Sequence, residues 1–149
     1  MQSNERPSSQ QPQAVAPVVT HETLCVTERW DDPLRGSVRW WTLLSADRTA
    51  SRGMTCGVAE IAPGRPDVVH PHQHAQAEVY HFLAGAGIVH IGDQQHEVSP
   101  GSTLFIPGDV RHGVRNIGQL PLRLFYVFAV DSFSEVQYVF PEPPLEPAQ

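Results

Sequence analysis

Cysteine is nearly absent from this sequence. Cys25 and Cys56 are too few for a disulfide scaffold and too far apart for a zinc knuckle. Both are expected to be small buried hydrophobes in a reducing compartment. Positive charge is also scarce. Ten Lys and Arg stand against sixteen Asp and Glu, a net charge of −6 with the histidines neutral, which excludes a basic nucleic-acid footprint. There is no long apolar run either: the longest, Leu122 to Val130, is broken by Arg123 and is far too short to span a bilayer. Residues 1–17 lack the basic and apolar regions of a secretory signal, so a cytoplasmic location follows by default. Finally, no segment sustains a 3.6-residue apolar period, which argues against a helical domain.

What remains is a string of short apolar segments between turn residues. At 149 residues and 40% hydrophobic content, the chain has the size of one domain with a real core. Residues 1–20, rich in Ser, Gln and Pro, read as a disordered leader, and 141–149, with four prolines, as an extended tail. Between them, 21–140 forms the single domain. Strands are expected at Ser37–Leu44, Gly53–Ala62, Glu78–Leu83, Gly87–Ile91, Gln94–Val98, Ser102–Ile106, His112–Asn116, Leu122–Val130 and Glu135–Phe140. Trp40 and Trp41 fall on opposite faces of the first of these. Residues 132–136 could hold one helical turn. Turns fall at Gly92-Asp93 and Ser99-Pro100-Gly101, and the cluster Ala62 to Asp67 is another. Short, regular strands of this kind make an all-β sandwich or small barrel.

One stretch stands apart: His70-Pro71-His72-Gln73-His74-Ala75-Gln76-Ala77-Glu78-Val79-Tyr80-His81. In extended chain alternate side chains share a face, so His72 and His74 point together, as do Glu78 and Tyr80. Two imidazoles and a carboxylate can then converge on one cation, with His112 from a second segment as a fourth ligand. Imidazole with carboxylate suits one divalent transition ion such as Fe, Mn, Ni, Co or Zn, and positions left open on it suit catalysis or ligand binding. Tyr80 lies two residues past a ligand on its face, either filling the core or reaching a group bound to the metal. His70 has the same parity as the ligands and is an alternative ligand, a supporting partner, a substrate contact or simply exposed. His81 faces outward, as do His90 and His96 beside their turns. Arg123 is either an outward charge or an inward clamp for a carboxylate.

These residues carry a resemblance to the cupin family. His72-x-His74, three residues, Glu78, six residues and Gly85 match its first motif, and Gly101, Pro107, His112 and Asn116 its second. Two departures are visible: Gly64 precedes His70 by five residues rather than His72, and Asp109 replaces the second glycine of Pro-x-Gly. The resemblance implies a double-stranded β-helix, or jelly-roll, barrel with the metal inside it, held by His72, His74, Glu78 and His112, and a homodimer. Uncovered strand edges near Trp40 or Trp41 and Tyr138-Val139-Phe140 are candidates for that contact. The run Glu78-Val79-Tyr80 and the ligand spacing are similar to those of cupin lyases that split dimethylsulfoniopropionate into dimethyl sulfide and acrylate. By that likeness the metal binds the substrate carboxylate and Tyr80 removes the adjacent proton in a β-elimination. A non-haem metal dioxygenase and a non-catalytic small-molecule-binding cupin are the alternatives that the same ligands allow.

Overall fold

The computed structural model describes residues 16–64 and 68–141. Most of the expected leader and tail, and half of the Ala62–Asp67 turn, therefore lie outside the described residues. Among the described residues ten strands make one antiparallel sheet: β1 Thr27–Asp32, β2 Gly36–Leu44, β3 Thr55–Ile61, β4 Val68–His72, β5 Glu78–Ala84, β6 Gly87–Ile91, β7 Gln94–Val98, β8 Thr103–Ile106, β9 His112–Asn116 and β10 Leu122–Phe128. The sheet runs β7-β6-β9-β4-β2-β3-β10-β5-β8, with β1 added against β2. Apart from β6-β7 and β2-β3, neighbours in this order are not consecutive in sequence, and the sheet curls around an inner face that becomes the core.

That inner face is read from alternation. On β10, Leu122, Leu124, Tyr126 and Phe128 are buried while the residues between them are half-exposed. On β5, Glu78, Tyr80 and Phe82 alternate in the same way. The two strands pair with Tyr126 opposite Tyr80 and Phe128 opposite Glu78, so two aromatic rows and one carboxylate meet inside. β3 is central and buried along nearly its whole length. Among the described residues no helix is long and apolar enough to cross a membrane.

Three expectations about the elements need correction. β1 was not expected, because Thr-Glu-Arg-Trp-Asp-Asp is half-exposed and pairs only with β2. The helical turn allowed at 132–136 is present as a 3-10 turn, Phe133–Glu135, but the strand expected at Glu135–Phe140 is irregular chain with one bridge, Val139 to Gln73. A capping box builds that turn: Ser132 caps it and the Glu135 carboxylate returns to the Ser132 N–H. Third, the pairing of β4 with β9 slips between Val69 and His72. The slip turns both Val69 and His72 inward, so His70 loses the parity expected of it and lies half-buried beside Gly36.

The outward residues behave as ordinary surface. His81 shares a hydrogen bond with Thr103 Oγ1 at 2.8 Å. Arg123 is outward: it pairs with Glu22 and Glu60 and lies over the Trp41 ring. Cys56 is buried and Cys25 half-buried.

Candidate metal centre

His72 ends β4, Glu78 begins β5 and His112 begins β9, so the curl of the sheet brings three strand ends to one place. His74 lies past β4, on chain held extended by the Gln73–Val139 bridge. All four side chains are buried, with exposures of 1–3%. One ligand atom from each of His72, His74 and His112 lies within 4.8 Å of the others. Glu78 Oε2 stands 3.1 Å from His74 Nε2 and 3.2 Å from His112 Nε2. The side chains singled out from spacing are thus brought together.

Their orientation follows from the backbone. Each Nδ1 lies 2.8–2.9 Å from a carbonyl two residues away: His72 from His70, His74 from Gln76, His112 from Val110. A carbonyl only accepts, so each Nδ1 carries a proton and each Nε2 is the ring atom turned inward, that of His74 hydrogen-bonded to the Glu78 carboxylate. Nε2 of His72 and of His112 are buried with no hydrogen-bond partner. Lone pairs beside a carboxylate are stable only around a proton or a cation. Burial, with the nearby His112, drives the His72 imidazole down to about 3, so it is neutral. For His74 burial opposes protonation, but the Glu78 carboxylate outweighs it and raises the imidazole. Burial likewise opposes ionisation of Glu78, and His112 and His74 overcome it, so its carboxyl is lowered. Three inward imidazole nitrogens and one carboxylate oxygen make the donor set of a divalent transition ion, which would displace any proton shared by His74 and Glu78, and no purely hydrophobic packing satisfies them.

Beside the centre is a small cleft lined by His72, Glu78 and Tyr80 and by aromatic rings from Trp30, Trp40, Tyr126, Phe133 and Tyr138. Tyr80 lines it, its ring 6.1 Å from that of His112. Burial, with the Glu78 charge next, raises its hydroxyl well above the usual phenol value. Tyr138 was missed. Expected at an outer edge, it stands over the centre instead, its ring 5.1 Å from His72 and 5.3 Å from His74, and its hydroxyl is raised for the same two reasons. Trp40, one of the two tryptophans offered as alternatives for an outer edge, lines the same cleft. The alternation Val136, Tyr138, Phe140, with exposed Gln137 and Val139 between, is the signal that could have found Tyr138.

The departure at Asp109 is also accounted for. Asp109 adopts φ +62°, the left-handed conformation for which the motif keeps a glycine, and its N–H donates to the His74 carbonyl at 2.8 Å. At Gly108 a side chain would collide with the Ala75 carbonyl. The turn that delivers His112 therefore keeps its shape.

Comparison with known proteins agrees with this geometry. A family model described as the cupin domain matches residues 57–128. Dimethylsulfoniopropionate lyase DddW of Ruegeria pomeroyi is 43% identical over 109 residues, 73% of this chain and 70% of that protein. Among solved structures, the polyketide cyclase RemF from Streptomyces resistomycificus superposes with a TM-score of 0.69 at 22% identity, over 85% of this chain and 88% of that one. A protein described as a predicted oxalate decarboxylase, from Thermotoga maritima, gives 0.66 at 22% identity, over 76% and 99%. At such identities the two structures speak for the fold alone.

Proposed function

The chain belongs to the cupin family, and on that premise we propose that it is a mononuclear metal-dependent lyase. Its substrate would be a small carboxylate bearing a β-sulfonium group, of which dimethylsulfoniopropionate is the type. One observation carries the proposal: three buried imidazoles and a buried carboxylate converge beside an aromatic cleft that His72, Glu78, Tyr80 and Tyr138 help to line. The 43% identity to a lyase of that substrate supports the choice of chemistry.

His72, His74, Glu78 and His112 would hold the ion. When bound, it supplies Lewis-acid chemistry toward the substrate carboxylate, which acidifies the neighbouring carbon. Tyr80 and Tyr138 are the two groups placed to accept the proton from that carbon. The released electron pair forms the Cα–Cβ double bond while the Cβ–S bond breaks and its pair returns to sulfur. The products are acrylate and neutral dimethyl sulfide, and the proton stays on the phenol. A phenol raised by burial and by Glu78 can work as a base only where positive charge balances that carboxylate. The faces of Trp30, Trp40 and Phe133 offer cation–π contact to a sulfonium. The surrounding apolar wall excludes water from the departing thioether.

The test is headspace release of dimethyl sulfide from dimethylsulfoniopropionate by metal-loaded protein, with and without oxygen. Acrylate and dimethyl sulfide should appear in equal amounts and at equal rates in both atmospheres. Oxygen uptake coupled to an oxidised product would move the assignment to a dioxygenase. No turnover by fully metallated protein would favour a binding function.

A further inference from the structure

We propose that the loop between β2 and β3, through the adjacent residues Asp47 and Arg48, positions both halves of the roof over the metal cleft; its activity readout, though not its structural one, rests on the lyase reading. One half of the roof is residues 131–140. From it Phe133 and Tyr138 line the cleft, and the Phe133 ring stands 6.0–6.3 Å from those of Tyr126, Trp40, Phe128 and Tyr138. The other half is β1, whose Trp30 lines the cleft and meets Tyr138 edge-on at 4.9 Å and Phe140 at 5.4 Å. Neither half belongs to the strands that carry the ligands.

The loop holds the first half through Asp47. Its Oδ1 accepts from the Ser45 hydroxyl and, at 3.0 Å, from the Ser132 hydroxyl. Ser45 is wholly buried, and with its own proton committed to Asp47 its oxygen accepts the Phe133 N–H at 2.9 Å. Two further bonds seat the start of the segment: Ala46 N–H to the Asp131 carbonyl at 2.7 Å and Gly53 N–H to the Asp131 carboxylate at 2.6 Å. The second half is held through Arg48. Its guanidinium grips both oxygens of Glu28 at 3.0 and 2.8 Å, and Thr42 donates to the same carboxylate at 3.0 Å. Glu28 and Trp30 stand two residues apart on β1 and so share a face. Two neighbouring residues of opposite charge thus set the two elements that meet at Tyr138. Asp47 acts on the cleft through Ser45 and Ser132, as a positioning residue, and its Oδ2 also lies 3.6 Å from Arg48 Nε.

Amide hydrogen exchange on metal-loaded Asp47→Ala, Asp47→Asn, Asp47→Glu and Arg48→Ala tests this. In Asp47→Ala and Asp47→Asn, residues 132–140 should exchange about tenfold faster or more, the scale of a lost charge-assisted hydrogen bond, while β4, β5, β9 and metal content stay unchanged. In Arg48→Ala the acceleration should fall on β1. Under the lyase assay, kcat of Asp47→Ala should drop about tenfold with KM changed less, and Asp47→Glu should recover most of it. Uniform acceleration across the barrel, wild-type exchange at residues 132–140, or unchanged kcat in an active protein would each overturn the proposal. A wild-type protein without lyase activity would sink the functional reading and leave the exchange experiment able to decide this one.

Discussion

Glu78 carries the greatest electrostatic burden of any residue in the site, a buried carboxylate facing two imidazoles. Glu78→Gln keeps the shape and removes the charge. Altering groups that merely support ligands costs about 10–100-fold in metal affinity, so the loss here should reach about a hundredfold or more, read as metal content after dialysis. The two phenols are separable by substitution. Tyr138→Phe and Tyr80→Phe should both retain the metal, and whichever provides the base should lose about a hundredfold in kcat, the other much less. Equal, small losses in both would remove a phenol base from the mechanism. At this scale the clustering of the four candidate ligands was legible because alternation and spacing put them within one stretch and one turn. Tyr138 was not, because it reaches the centre from irregular chain whose course depends on the Val139 bridge to a distant residue. His70 misled for a related reason: a slip in pairing changes side-chain parity, and nothing in the local sequence announces it.

Among the elements, β1 is the one most dependent on electrostatics, since its side of the sheet is half-exposed and its partner is β2 alone. Glu28 is the residue to watch. The hydrogen bond from Arg48 holds its carboxyl below the ordinary glutamate value of 4.5, against partial burial. A carboxyl lowered by folding contributes stability in full above that value and loses it as pH falls through the folded one. Urea midpoints should therefore decline on the acid side of about pH 4.5, and Arg48→Ala should flatten that part of the decline while leaving the rest. Most strands were legible from alternation and turn residues, with ends differing by one or two positions. β1 was hidden by its charged and polar residues, which an edge strand tolerates and a central one does not. The segment after β10 was misread because Val136, Tyr138 and Phe140 alternate as a strand does while making only one bridge.

For the molecule as a whole, a metal held at this centre would be a stability term as well as a chemical one. Inward nitrogens without partners beside a buried carboxylate are costly when no cation joins them. Ligand linkage adds about 2.7 kcal/mol when the free ion exceeds Kd a hundredfold. For a chain of this length that raises Tm by about 5–10 °C. Chelation should lower Tm by this amount and one equivalent of divalent ion per chain should restore it, as measured by calorimetry. The curled all-β architecture was readable from composition and pattern. The order of strands was not, since placing β10 between β3 and β5 requires the long-range closure that local sequence does not encode.

Each of the three imidazoles takes its aim from main-chain oxygen in its own neighbourhood, not from any side chain across the cleft. The walls and roof can therefore be repapered with other residues while the protons stay on the same nitrogens. Such a centre is modular: evolution, or a protein engineer, can fit it to a new substrate without rebuilding the grip on the ion.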